Sequence, residues 1–141
     1  MKQSLKQGEK NKIGAFGEEI TVNYLKRKKF RILTTNYLKK WGEIDIVAHE
    51  TIGNNEIIRF VEVKTVSYET RESLQRALKT RTWRPEEKVT REKMQKLSRV
   101  VDSWLRENNK IECCWQIDVA AVRMVPHEKY ATIKYLENVI L

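Results

Sequence analysis

Gly42-Glu43-Ile44-Asp45-Ile46-Val47 and Phe60-Val61-Glu62-Val63-Lys64 are the two stretches that decide how this chain is read. Both are β-forming runs with acids set among residues that otherwise belong in a core. Side chains two apart on a strand share a face, so Glu62 and Lys64 point the same way. Asp45, flanked by Ile44 and Ile46, sits in the same kind of setting. A buried carboxylate is costly unless it is paired or bound to a metal, and a lysine within reach offsets part of that cost.

Working outward, the turn signal Gly53-Asn54-Asn55 joins these stretches into a hairpin with strands over about 43–49 and 56–65. Phe30 to Asn36 is a further run of β-formers and reads as a strand ahead of them. Tyr37 to Trp41, with Lys39 and Lys40, reads as the turn between. Upstream, Ile13, Phe16, Ile20 and Tyr24 recur at helical spacing and predict a helix to about Lys29. Gly14 and Gly17 weaken its first turns, which suggests close backbone packing there. Glu18 lies on a flank of that helix, in line with Thr21 and Leu25. Alone, it reads as a solvated acid that favours the N-terminal dipole. Residues 1–12 are polar and basic and are expected to form a flexible arm.

Downstream, residues 66–84 are irregular and basic, open to a loop, a short helix or both. Pro85-Glu86-Glu87 is a helix start, and Leu97, Val100, Val101, Trp104 and Leu105 make the buried stripe that follows. Asn108-Asn109 ends that helix. Trp115 to Met124 alternates as a fourth strand, with Asp118 expected on the face opposite Ile117 and Val119. A short last strand covers about 131–136. The order is α-βββ-α-β with a terminal strand, in one domain over 13–141 that carries a basic insertion at about 66–84.

The chain has 28 Lys and Arg against 19 Asp and Glu, a formal net charge of +9, which favours a polyanionic partner. Hydrophobic content of 40% supports a core, and no apolar run approaches the roughly 20 residues that span a bilayer. Neither a membrane partner nor a signal peptide is therefore expected. Cys113 and Cys114 are adjacent and suit neither a zinc site nor a useful disulfide, so a reduced, cytoplasmic setting is expected.

A carboxylate followed by a carboxylate and a lysine one residue apart is the pattern used by divalent-metal nucleases. Asp45 and Glu62 would supply two oxygen ligands, with the backbone carbonyl of Val63 as a third. Such hard ligands select Mg²⁺ or Mn²⁺ over Zn²⁺. Lys64 would orient the attacking water or stabilise charge on phosphate. Taken singly, each of these acids also fits a solvated sheet face. His49 and His127 are isolated and read as structural or exposed. Trp41 and Trp83 sit beside basic residues suited to stacking on bases, whereas Trp104 reads as core.

The ordered motifs Gly14-x-x-Gly17-Glu18, Gly42-Glu43-Ile44-Asp45-Ile46-Val47 and Phe60-Val61-Glu62-Val63-Lys64 resemble the YraN-like family of small bacterial proteins. Pro85-Glu86-Glu87-Lys88-Val89, Lys93, Leu97 and Ile117-Asp118-Val119 extend the resemblance over about 13–123. That family is similar in fold to archaeal Holliday junction resolvases and belongs to the PD-(D/E)xK nuclease superfamily. The resemblance implies an α/β, restriction-endonuclease-like core: a four-stranded mixed sheet flanked by helices. It implies an active site of Glu18, Asp45, Glu62 and Lys64, with Glu18 completing or supporting the metal site. Lys93 matches a family lysine that would meet phosphate or remain solvated, and Lys39, Lys40 and Arg84 are further nucleic-acid candidates. Asp118 matches a family aspartate for which a structural hydrogen-bonding role is expected.

Ile44 replaces the proline of the superfamily name, and Val66 and Gln116 stand where arginines are usual. The expected function is a Mg²⁺-dependent DNA endonuclease acting on branched or damaged DNA. A nucleic-acid-binding protein that keeps the fold without cleaving is the alternative, and a protein-interaction subunit is a third class. Resolvases act as dimers, so a homodimer is the assembly the resemblance implies.

Overall fold

The computed structural model describes residues 7–80 and 91–139. The elements run α1 (Gln7–Arg27), β1 (Arg31–Lys39), β2 (Gly42–Ile52), β3 (Asn55–Ser67), α2 (Arg71–Thr80), α3 (Arg91–Glu107), β4 (Cys114–Val125), a 3-10 turn (Pro126–Glu128) and β5 (Tyr130–Leu136). The five strands form one mixed sheet in the order β1-β2-β3-β4-β5. β3 and β4 are parallel, and the other neighbours are antiparallel. The parallel pair exists because α2 and α3 carry the chain back between them.

Both faces of the sheet are covered. Under α3, Ile44, Val47, Ile58, Phe60 and Ile117 pack against Val100, Val101, Trp104 and Leu105. Phe60 meets Trp104 edge to face at 5.6 Å, and the Trp104 indole donates to Thr34 Oγ1 at 3.0 Å. Under α1, Leu25 packs with Ile46, Ala48, Val61 and Ala120. This is why β4 has no polar face: Ile117 through Val125 are all buried. Asp118 therefore lies inside the protein, on a face that is covered as fully as the one opposite.

Several boundaries move from the sequence expectation. The sheet has five strands and not four, because the terminal run joins as an edge strand beside β4. α1 begins at Gln7, so residues 7–12, expected in the arm, are helical. Periodicity sees only the turns that pack, and the polar turns ahead of them leave no signal. Tyr37 to Lys39 continue β1, which leaves Lys40 and Trp41 as the turn. The basic segment at about 66–84 begins with the end of β3 and goes on into α2, and its last four positions lie outside the described residues. Thr70 caps that helix by accepting the Ser73 N–H at 3.0 Å, and Leu74 anchors it by full burial. The helix start at Pro85 lies outside the described residues.

The packed face of α1 is also rotated from the expected one. Phe16 is 55% exposed, and the line Gly17, Thr21, Leu25 is buried instead. Gly17 explains why. A Cβ there would overlap Thr65 Oγ1 and lie 3.0 Å from Thr65 Cβ, so only glycine lets the helix settle on β3. Gly14, by contrast, has nothing near its missing Cβ. Gly17→Ala should cost about 1–3 kcal/mol through this overlap, with Thr65→Ala recovering part of it in urea unfolding. An additive double mutant would show that the contact is not the cause.

Candidate functional site

Asp45 sits where two regular patterns break together. Ile44 packs under α3, whereas Ile46 and Ala48 pack under α1, so strand alternation slips at the residue between. The β2–β3 ladder runs from Ile52↔Asn55 to Ile46↔Val61 and stops there. In place of the next rung, the Val63 N–H donates to Asp45 Oδ2 at 2.8 Å. The carboxylate is thus wedged where β2 leaves β3. Main-chain N–H and C=O of one strand residue address the same neighbour, so the Val63 carbonyl belongs to this edge too.

Glu62 and Lys64 follow on β3, both partly buried, and their side chains form an ion pair of 2.8 Å. Glu18 projects from α1 one residue past Gly17, whose contact with Thr65 fixes the helix beside the end of β3. Burial raises the proton affinity of Glu18, an Asn36 side-chain hydrogen bond opposes this, and Glu43 adds to it. Asp45 is pushed up to about 6, chiefly by burial. The Val63 N–H opposes that rise, and the nearby Glu18, Glu43 and Glu62 charges add to it. Four acids therefore share one electrostatic neighbourhood, with Lys64 as a close countercharge.

The donor set fits a hard divalent cation, since the uncompensated negative charge at Asp45 is what such an ion would neutralise. Among the described residues, no three acids, histidines or cysteines gather tightly enough to form a ready-made cage. Mg²⁺ keeps several waters and commonly takes one or two carboxylates, so Asp45 and Glu62 are the residues that would hold it. Glu18 stands within electrostatic reach of Asp45.

Between about pH 4 and 6 the folded protein holds an Asp45 proton that the unfolded chain has released. This group's contribution to stability therefore falls as pH rises through that window. Asp45→Asn keeps an acceptor for Val63 and removes the charge. It should stabilise the protein by on the order of 1–3 kcal/mol at pH 7–8 and much less at pH 4, as read from urea midpoints at the two pH values. Equal effects at both pH values would contradict the assigned charge burden.

The nucleic-acid candidates separate. Lys39 is paired with Glu107 and lies 5.3 Å from the Tyr37 ring centroid. Lys40 is exposed in the β1–β2 turn, and Lys93 is exposed on the first turn of α3. Arg84 and Trp83 lie outside the described residues. Trp41 packs against the α3 cluster with the Arg99 guanidinium 4.8 Å from its ring centroid, so it is not an open stacking platform. Gly42 begins β2 at φ 149°, with Val100 Cγ2 2.9 Å from a Cβ built there, which pins this turn to α3.

Two participants had gone unread in the sequence: Glu43, which stands beside Asp45 and Glu18, and Asn36, which bonds Glu18. An asparagine inside a β-forming run was the available signal for the second. Asp118 is bound by the Arg59 Nη1 (3.1 Å), Gln116 Nε2 (2.9 Å) and Asn138 N (2.8 Å) donors, and by Tyr135 Oη. That network flanks an open cleft of about 610 Å³ lined by Tyr24, Phe30, Glu50, Tyr135 and Glu137 among others, which contains none of the candidate residues.

Comparison with known proteins places the chain. The model of the "Uncharacterised protein family UPF0102" matches residues 17–122, from Gly17 to β4. A UPF0102 protein of Alkaliphilus oremlandii is 40% identical over 129 residues, covering 90% of this chain and 96% of that protein. A UPF0102 protein of Trichlorobacter lovleyi is 34% identical, covering 89% and 87%. One from Mycobacterium bovis is 31% identical, covering 87% and 86%. The matched span holds Glu18, Asp45, Glu62 and Lys64 together with the sheet that positions them, and the chain belongs to the UPF0102, YraN-like family.

Proposed function

We propose that this protein is a divalent-metal-dependent DNA endonuclease with a restriction-endonuclease-like core, acting on branched or damaged DNA. The observation that carries the reading is Asp45. It is a partly buried carboxylate wedged into the split between β2 and β3, surrounded by Glu18, Glu43 and Glu62, with its proton affinity raised to about 6. A fold does not retain such an arrangement for stability, because the like charges oppose it. Asp45 and Glu62 would hold Mg²⁺ or Mn²⁺, joined by the Val63 carbonyl and supported by Glu18. The metal would supply a polarised phosphate and a bound water of lowered pKa.

The chain's own groups have separate tasks. Lys64, released from Glu62, would place its ammonium toward the scissile phosphate and stabilise the charge that develops there. The Val63 N–H keeps Asp45 in one orientation. Lys40 and Lys93 contribute exposed positive charge for the DNA backbone within a chain of net charge +9. The absence of a ready-made three-acid cage among the described residues favours one second reading, a nucleic-acid-binding protein that does not cut.

Incubation with supercoiled plasmid and a labelled four-way junction, with Mg²⁺, Mn²⁺ or EDTA, separates the two. Cutting that requires metal and stops with EDTA supports the nuclease. Salt-sensitive binding without cutting under any metal supports the second reading. Binding that does not weaken as salt rises removes both.

A further inference from the structure

Asn36 is a left-handed residue inside a strand, with φ 53° in the middle of β1. Asparagine tolerates that region better than most side chains, but an extended strand has no ordinary use for it. The register supplies one. Thr35 pairs with Ile46 and Tyr37 with Ile44, which leaves Asn36 opposite Asp45. On both strands the alternation slips across this step. On β1, Thr34, which accepts from the Trp104 indole, and Tyr37, three residues on, both meet α3, and on β2 Ile44 packs under α3 but Ile46 under α1. The kink in β1 thus matches the slip in β2 that frees the Asp45 carboxylate from the ladder. The Asn36 side chain also reaches α1, where it hydrogen-bonds Glu18. An amide bonding a carboxylate donates its N–H.

We propose that Asn36 is a positioning residue that holds the Glu18 carboxylate toward Asp45, so that acids from α1 and β2 face one divalent cation. The proposal rests on the reading of Glu18 and Asp45 as parts of a metal site. Backbone strain at such a point is retained because the surrounding structure uses it. Nothing in the strand pattern alone would otherwise favour asparagine over the β-branched residues beside it.

The test uses Asn36→Gly, because glycine adopts the same φ without strain and lacks only the amide. Mn²⁺ is the probe, titrated into wild type, Asn36→Gly, Glu18→Gln and the double variant, with urea midpoints measured on the same four proteins. Asn36→Gly should stay folded, with its midpoint lowered only by the one hydrogen bond it loses, while losing about tenfold or more in Mn²⁺ affinity, as supporting residues around metal ligands do. In the Glu18→Gln background the same substitution should change affinity by less than about twofold. Undiminished Mn²⁺ binding by Asn36→Gly, or an equal loss with and without the Glu18 carboxylate, would overturn the proposal. If wild type takes up no Mn²⁺, the metal reading fails, and the urea cycle then decides for Asn36 alone. Non-additive midpoints keep its coupling to Glu18, and additive ones remove it.

Discussion

Replacing Glu62 or Lys64 with alanine is expected to abolish metal-dependent DNA cleavage while leaving the fold and most DNA binding in place. The two side chains are partly buried on one strand face and paired with each other at 2.8 Å. Their loss should therefore move stability little. For Lys64 the expected fall in single-turnover rate is at least about a hundredfold, the scale of removing one group that stabilises transition-state charge. Lys64→Arg should not restore the rate, because the planar guanidinium differs in shape and hydration from the ammonium. Cleavage is read on the four-way junction and binding on the same DNA in EDTA. A variant that binds and cuts like wild type would show the pair to be an ordinary surface salt bridge, which contributes little to anything.

Asp118→Ala should produce the largest loss of stability, about 3–5 kcal/mol, because it breaks a buried ion pair and leaves the Arg59, Gln116, Tyr135 and Asn138 donors without their shared acceptor. Asp118 is fully buried, and Arg59, 6% exposed, bridges it to Glu50 and to Glu137 at 2.8 Å. The Arg59 guanidinium also lies 4.7 Å from the Phe30 ring centroid. Asp118 further accepts from Asn138 N, and Val139 N donates to Ile117 O, so the network ties the chain after β5 to β4. For a domain of 141 residues such a loss lowers the melting temperature by on the order of 10–20 °C. Gln116→Ala, which removes one donor from the rim of the same network, should cost far less. A melting temperature for Asp118→Ala within a few degrees of wild type would mean that Arg59 is adequately paired by its glutamates.

The signals that were legible in the sequence are local ones. Alternation and the Gly53-Asn54 turn give the β2–β3 hairpin, the apolar stripe gives α3, and the spacing of Glu62 and Lys64 gives their shared face. What stayed hidden is set by contacts between distant segments. The buried face of α1 turns on Thr65 meeting Gly17, which no helical periodicity records. A hydrogen-bonding role for Asp118 was expected, but not its full burial or its partner Arg59, which lies 59 positions away. The pairing of Lys39 with Glu107, 68 positions on, likewise leaves no local signal. Asp45 could be nominated from its flanking isoleucines, but its exit from the ladder lies opposite a left-handed residue, Asn36, in a different strand.

The account stands on acids from β2 and β3 sharing one divalent cation, and calorimetric titration of Mn²⁺ into wild type and Asp45→Asn, without DNA, tests that most directly. One saturable site in wild type, lost or weakened at least about tenfold in the variant, is the expected result. Absence of saturable binding, or the same binding in both proteins, would contradict it.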